Sequence, residues 1–124
     1  MIVGIGCDIV EHNMIKVLEW EADISIQQTI FSAEELKLYE SRKGIKFLAG
    51  RFAAKEAAVK SLGTGMRDGI PLNNIQILND SLGKPELIIS GEVKKISDLL
   101  GIRFFQLSIS HSTNYSIAVV IAQG

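Results

Sequence analysis

The stretch Ile45-Lys-Phe-Leu-Ala-Gly-Arg-Phe-Ala-Ala-Lys-Glu-Ala-Ala-Val-Lys-Ser-Leu62, followed by Gly63, reads as one long helix. Leu48, Phe52, Val59 and Leu62 fall on a single core-facing stripe, and Gly63 is placed to end it. Lys55 interrupts that stripe. Glu56 and Lys60 stand one turn apart on its flank, beside Ala49 and Ala53, while Arg51 projects roughly 140° away from Glu56. Such charges around an apolar stripe suit a helix lying between a ligand and a second surface. On spacing alone Glu56 and Lys60 also read as a plain helical ion pair, worth about 0.2–0.5 kcal/mol.

Upstream, Phe31-Ser-Ala-Glu-Glu35 announces another helix. Ser32 can cap it, Glu35 can reach back, Phe31 can pack on Leu36, and the run ends near Gly44. Residues 2–10 alternate as a strand, with Val3, Ile5, Cys7 and Ile9 on one face and Gly4, Gly6, Asp8 and Val10 on the other. Asp8 thus shares its face with two residues lacking side chains, which leaves room for something bulky beside a carboxylate. On spacing alone the plainer reading is a strand-terminating residue that caps the next turn. Downstream come a turn-rich connection over 64–71 and a strand over 74–78. A hairpin loop (79–85), a strand (86–89), a helix (91–100) and strands over 103–110 and 115–122 follow. Two hairpins among helices predict an α+β fold, an antiparallel sheet packed on the long helix.

At 124 residues and 47% hydrophobic content, the chain suits one domain over 1–124 that folds without disulfide or metal. No apolar run approaches a membrane span. The start, with Asp8 inside what would be an apolar core, is unlike an export signal, and the lone Cys7 suits a reducing cytosol; a cytoplasmic location is expected. The formal charge of −1 gives no global footprint for nucleic acid. Its distribution is uneven: residues 1–41 carry −6, residues 42–60 carry +5, and the rest balance. A basic block in a near-neutral chain suits a local anion or an acidic partner. RNA is a poor candidate, because Phe47 and Phe52 are the only aromatics in the block.

The glycines form no phosphate-binding loop, and one cysteine with two histidines supplies no structural zinc site. Ser108, Ser110 and Ser112 surround His111 without a nucleophile elbow. Two carboxylates, Asp8 and Glu56, and the amine of Lys60 remain. A Mg²⁺ site uses one or two carboxylates, waters and substrate phosphate oxygens, so these residue types suit phosphoryl transfer.

The run Leu48-Ala-Gly-Arg-Phe-Ala-Ala-Lys-Glu-Ala-Ala-Val-Lys-Ser-Leu-Gly-Thr-Gly65 resembles the signature of the holo-acyl-carrier-protein synthases, the small bacterial 4′-phosphopantetheinyl transferases. Gly4-Ile-Gly-Cys-Asp8-Ile-Val-Glu11 is similar to the other half of that signature. Phe31-Ser-Ala-Glu-Glu35, Asn79-Asp-Ser-Leu-Gly-Lys-Pro85 and Ser108-Ile-Ser-His111 match further motifs in order. The resemblance spans essentially the whole chain. It implies the phosphopantetheinyl transferase fold, and transfer of the 4′-phosphopantetheine arm of coenzyme A to a serine of apo acyl carrier protein, as in fatty acid biosynthesis. It further implies Mg²⁺ on Asp8 and Glu56, catalysis by Glu56 and Lys60, Arg51 and His111 near the coenzyme's 3′-phosphate, and Gly83, Lys84 and Pro85 by the adenine. A homotrimer with sites between subunits is implied as well. In one departure, Met14 stands where the family usually has an arginine for the acidic carrier. His12 and Lys16 are its nearby substitutes, and Arg42, Lys43 and Lys46 are further basic candidates. The rival class is a non-catalytic trimeric module that binds acidic proteins through residues 42–60.

Overall fold

A computed structural model describes residues 1–63 and 70–124. Residues 64–69, most of the turn-rich connection and the Thr64-Gly65 end of the long motif, lie outside the described residues.

The helix that decides the fold forms over the residues expected of it. Called α4 below, it spans Ile45–Leu62, and Gly63 ends it in the left-handed conformation (φ +63°). Before it come β1 (Ile2–Glu11), α1 (His12–Val17), α2 (Ile24–Ile30) and α3 (Ala33–Ser41). After it come β2 (Ile75–Asn79), β3 (Pro85–Ile89), α5 (Gly91–Leu99), β4 (Phe104–His111) and β5 (Tyr115–Gln123). β5 pairs antiparallel with β1 on one side and β4 on the other, and β2 pairs with β3 as a separate antiparallel hairpin. The fold is α+β, as the sequence predicts.

α4 packs across the three-stranded sheet, and its deepest positions are small. Ala53, Ala57 and Ser61 are buried with Leu48, whereas Phe52 and Val59 are only half-buried. Small residues there let the helix backbone meet the backbone of β1. A Cβ on Gly4 would collide with the Ser61 carbonyl oxygen, and one on Gly6 with that of Ala57. The bulky group for which the bare face of Gly4 and Gly6 leaves room is therefore α4 itself.

Lys55 also receives a different explanation. Its ammonium is buried 2.6 Å from the Glu35 carboxylate, itself fully buried, and donates to the carbonyls of Leu72 (3.0 Å) and Ile75. Glu35 completes the capping box with Ser32 that the sequence predicts, and its second oxygen accepts from the Ile77 amide at 3.0 Å. One ion pair thus fastens α3, α4 and β2. Burial pushes the Lys55 pKa down, and Glu35 opposes that shift.

The opposite face of the sheet is apolar and bare. Ile5 and Ile9 of β1 are 60% and 62% exposed, and Phe104, Tyr115, Ile117 and Val119 lie exposed on the adjoining strands. The charges on α4 that suggest a second surface have partners within this chain instead: Lys55 pairs with Glu35, Lys60 with Asp8, and Arg51 with Asn79 and the Ile77 carbonyl.

Candidate active site

The close seating of α4 on β1 brings the predicted carboxylates together. Asp8, facing the helix from β1, and Glu56, on α4, line one cleft of about 590 Å³ with Val10, Met14, Val17 and Phe52. Lys60, one turn beyond Glu56, donates to Asp8 Oδ1 at 2.9 Å and to the Cys7 carbonyl at 3.1 Å. The Glu56–Lys60 spacing therefore serves a contact with the neighbouring strand, and Asp8 holds the lysine rather than capping a turn.

Electrostatics sets the three groups apart. Burial pushes the Glu56 carboxyl pKa up, the Asp8 carboxylate pushes it further, and Lys60 opposes them. The hydrogen bond to Asp8 pushes the Lys60 pKa up, so its ammonium stays charged at any working pH. Two half-buried carboxylates facing one cleft offer hard oxygen donors to a divalent cation. A cation there would also relieve their mutual repulsion. Among the described residues no group of three or more His, Cys, Asp or Glu could hold a metal ion. A cation at Asp8 and Glu56 would complete its shell with water and substrate oxygens, the habit of Mg²⁺.

The remaining predicted residues lie elsewhere. Arg51 donates from Nε to the Ile77 carbonyl (3.0 Å) and from Nη2 to Asn79 Oδ1 (2.9 Å), with its guanidinium 3.9 Å above the Phe47 ring. Its fork carries five N–H groups, so these two bonds leave donors for an anion. Asn79 also accepts from Arg42 (3.3 Å) and donates to the Gly83 carbonyl (3.0 Å), tying both arginines to the hairpin loop. Gly83 turns that loop at φ +86°, and the Asp80 carboxylate accepts from the amides of Leu82 and Lys84. Lys84 and Pro85 line a separate hollow of about 410 Å³ against Phe104 and Phe105.

His111 ends β4 with its ring against Gly50, where a Cβ would stand 2.6 Å from Cε1. Burial lowers its pKa, as do His12, Lys46 and Arg51 in that order. Asp8, Glu56 and Lys60 thus form one group, and Arg51 and His111 another on a different face of α4. The loop at 83–85 is linked to the second group through Asn79. Sequence reading missed Asn79, although it opens the hairpin motif. It also offered His12 as a substitute for the family arginine, but His12 is buried and bonded to Ser116 and Thr113. Lys16, Arg42, Lys43 and Lys46 remain exposed.

Known proteins resemble this chain in both sequence and fold. The profile of the 4′-phosphopantetheinyl transferase superfamily matches residues 4–120. A holo-[acyl-carrier-protein] synthase of Hamiltonella defensa is 39% identical over 124 residues, covering 99% of this chain and 98% of that protein. The crystal structure of the holo-[acyl-carrier-protein] synthase of Neisseria meningitidis superimposes with a TM-score of 0.90 at 37% identity, covering 100% of both chains. That of Bacillus anthracis, solved in complex with CoA (3′,5′-ADP), superimposes at 0.80 and 37% identity, covering 100% of this chain and 98% of that one. With likeness in sequence and in fold running from end to end, the chain belongs to the 4′-phosphopantetheinyl transferase superfamily and, within it, to the holo-[acyl-carrier-protein] synthases.

Proposed function

We propose that this enzyme transfers the 4′-phosphopantetheine arm of coenzyme A to a serine hydroxyl of an apo acyl carrier protein, releasing adenosine 3′,5′-bisphosphate, with Mg²⁺ held by Asp8 and Glu56. The observation that carries the reading is the meeting of Asp8, Glu56 and Lys60 at one cleft. When bound, the cation supplies charge neutralisation and orientation for the pyrophosphate. Glu56, or a water it orients, takes the serine proton as the oxygen bonds to the β-phosphorus. The bond from that phosphorus to the bridging oxygen breaks, and the bisphosphate leaves. Lys60 offsets the negative charge that grows on the departing group. Positioning and electrostatics supply most of the catalysis in such a transfer, so this small set suffices.

Arg51 and His111 hold the 3′-phosphate, and Gly83, Lys84 and Pro85 flank the adenine. Lys46 and Arg51, whose positive charge reaches His111, support that assignment, since they make the position attractive to an anion. In one copy, however, α4 separates them from the carboxylates. The reading therefore places the carboxylates of one copy and the Arg51–His111 group of another in a shared cleft of a homotrimer, with the exposed apolar face of the sheet as surface available for contact between copies. Each copy contributes one transferase unit over residues 1–124. The acidic carrier docks on Lys16, Arg42, Lys43 and Lys46, with Met14 contributing apolar contact in place of an arginine. The work is done in the cytoplasm, for fatty acid synthesis; no helix among the described residues is long and apolar enough to cross a membrane.

The test is to incubate the protein with coenzyme A, Mg²⁺ and an apo carrier and weigh the carrier. A gain of one phosphopantetheine arm is expected, and no gain overturns the proposal. Glu56→Gln should abolish the gain. Lys60→Ala should lower kcat far more than it raises the KM for coenzyme A, because the lysine acts on charge that develops late. Heat on titrating coenzyme A with Mg²⁺ excludes a module that only binds acidic proteins.

A further inference from the structure

Two histidines share one buried hydroxyl. Ser116 Oγ, on β5, lies 2.8 Å from His12 Nε2 and 2.6 Å from His111 Nδ1. His12 Nδ1 lies 3.0 Å from the Thr113 carbonyl oxygen. Ser116 is wholly buried and His12 nearly so, whereas His111 is exposed. The chain of bonds therefore runs from the inside of the sheet to its surface, and its direction follows from donor and acceptor chemistry.

A carbonyl oxygen only accepts, so His12 donates from Nδ1. In the neutral ring its Nε2 then accepts, and the Ser116 hydroxyl must give its only proton there. Toward His111 the same oxygen can only accept, so His111 carries a proton on Nδ1. That leaves Nε2 as the ring's second nitrogen, with no hydrogen-bond partner among the described residues. In isolation a neutral imidazole prefers the opposite tautomer only slightly, so one buried bond decides the matter.

We propose that His12 and Ser116 are positioning residues that fix the ring orientation and tautomer of His111, so that Nε2 is kept for the 3′-phosphate of coenzyme A. The inference rests on the reading of His111 as a phosphate-holding residue given above. Nδ1 stays engaged inside the sheet. An arriving dianion, together with a proton taken up on Nε2, meets a ring that is already aimed and needs no reordering. Gly50 supports this seat from α4, since any side chain there would displace the ring. The lowered pKa of His111 fits a ring that stays neutral among Lys46 and Arg51 until the phosphate arrives.

The test compares coenzyme A with 3′-dephospho-coenzyme A, which lacks the group concerned. Ser116→Ala and His12→Phe should each weaken binding of coenzyme A by about 5- to 10-fold while moving that of the dephospho form by less than about 2-fold. His111→Ala should do the same at least as strongly. A second readout needs no ligand. In mildly alkaline buffer, nitrogen chemical shifts should show His111 protonated on Nδ1 in the native protein and in a tautomer mixture in both relay variants. The relay is overturned if His111→Ala loses the discrimination while Ser116→Ala and His12→Phe keep it, or if the tautomer does not respond. If all three variants retain it, the phosphate assignment of His111 falls as well. A merely structural role would weaken both ligands equally.

Discussion

At the scale of single residues, Glu56 is a carboxylate whose surroundings favour its neutral form. A carboxyl whose pKa rises on folding contributes stability below its ordinary pKa, and loses that contribution as pH climbs through the raised value. Near neutrality the ionised Glu56 therefore works against the fold. Glu56→Gln should raise the melting temperature at pH 7 even as it abolishes transfer, and the gain should shrink in acid; a calorimetric scan at both pH values checks the sign. Mg²⁺ binding by the free protein should weaken in acid at a pH above the range of an exposed glutamate, since a protonated Glu56 holds no cation; calorimetric titration of Mg²⁺ across pH checks this. Lys55 is the opposite case, a charge the fold depends on. Lys55→Met leaves Glu35 buried and unpaired and should cost about 3–5 kcal/mol by denaturant titration. Lys55→Met combined with Glu35→Gln should recover part of that loss.

At the scale of elements, the contact of α4 with β1 decides whether there is a site at all. Gly6→Ala pushes a methyl group into the Ala57 carbonyl, which backbone cannot yield cheaply. It should destabilise the protein by about 3 kcal/mol or more and reduce activity beyond what the lost folded fraction explains. Chemical denaturation alongside initial rates separates the two effects. α4 was legible because its apolar period and terminal glycine agree, and the later strands because alternation and turn residues mark them. α1 and α2 were not. α1 begins at His12 and Glu11 before it makes no side-chain cap, so the sequence carries no start signal, whereas Asp23 does cap α2 through the Ile26 amide and is a signal the sequence offers. Lys55 looked anomalous because its partner Glu35 lies twenty residues away on another helix, and no local pattern encodes such a pairing.

At the scale of the whole molecule, each cleft of the proposed assembly draws its carboxylates from one copy and His111 from the next. Glu56→Gln and His111→Ala are each defective alone. Once unfolded together and refolded as a mixture, they should recover about a quarter of native activity, the share of junctions that unite two intact halves. No recovery would show that each copy carries a whole site. The residue types of both halves were readable in sequence order, but their separation by α4 was not, because chain order says nothing about which face of a helix a cleft occupies. The Ser116 link between His12 and His111 was equally hidden, since it depends on the hairpin register that sets His111 opposite Ser116.

The glycine notch in β1 also bears on how such an enzyme can change. Because two main chains touch there, the spacing of the acidic pair is inherited from peptide geometry and owes little to the shapes of surrounding side chains. Lineages can therefore exchange much of the hydrophobic interior, or adapt to heat, without retuning the chemistry, while positions 4 and 6 admit almost no drift.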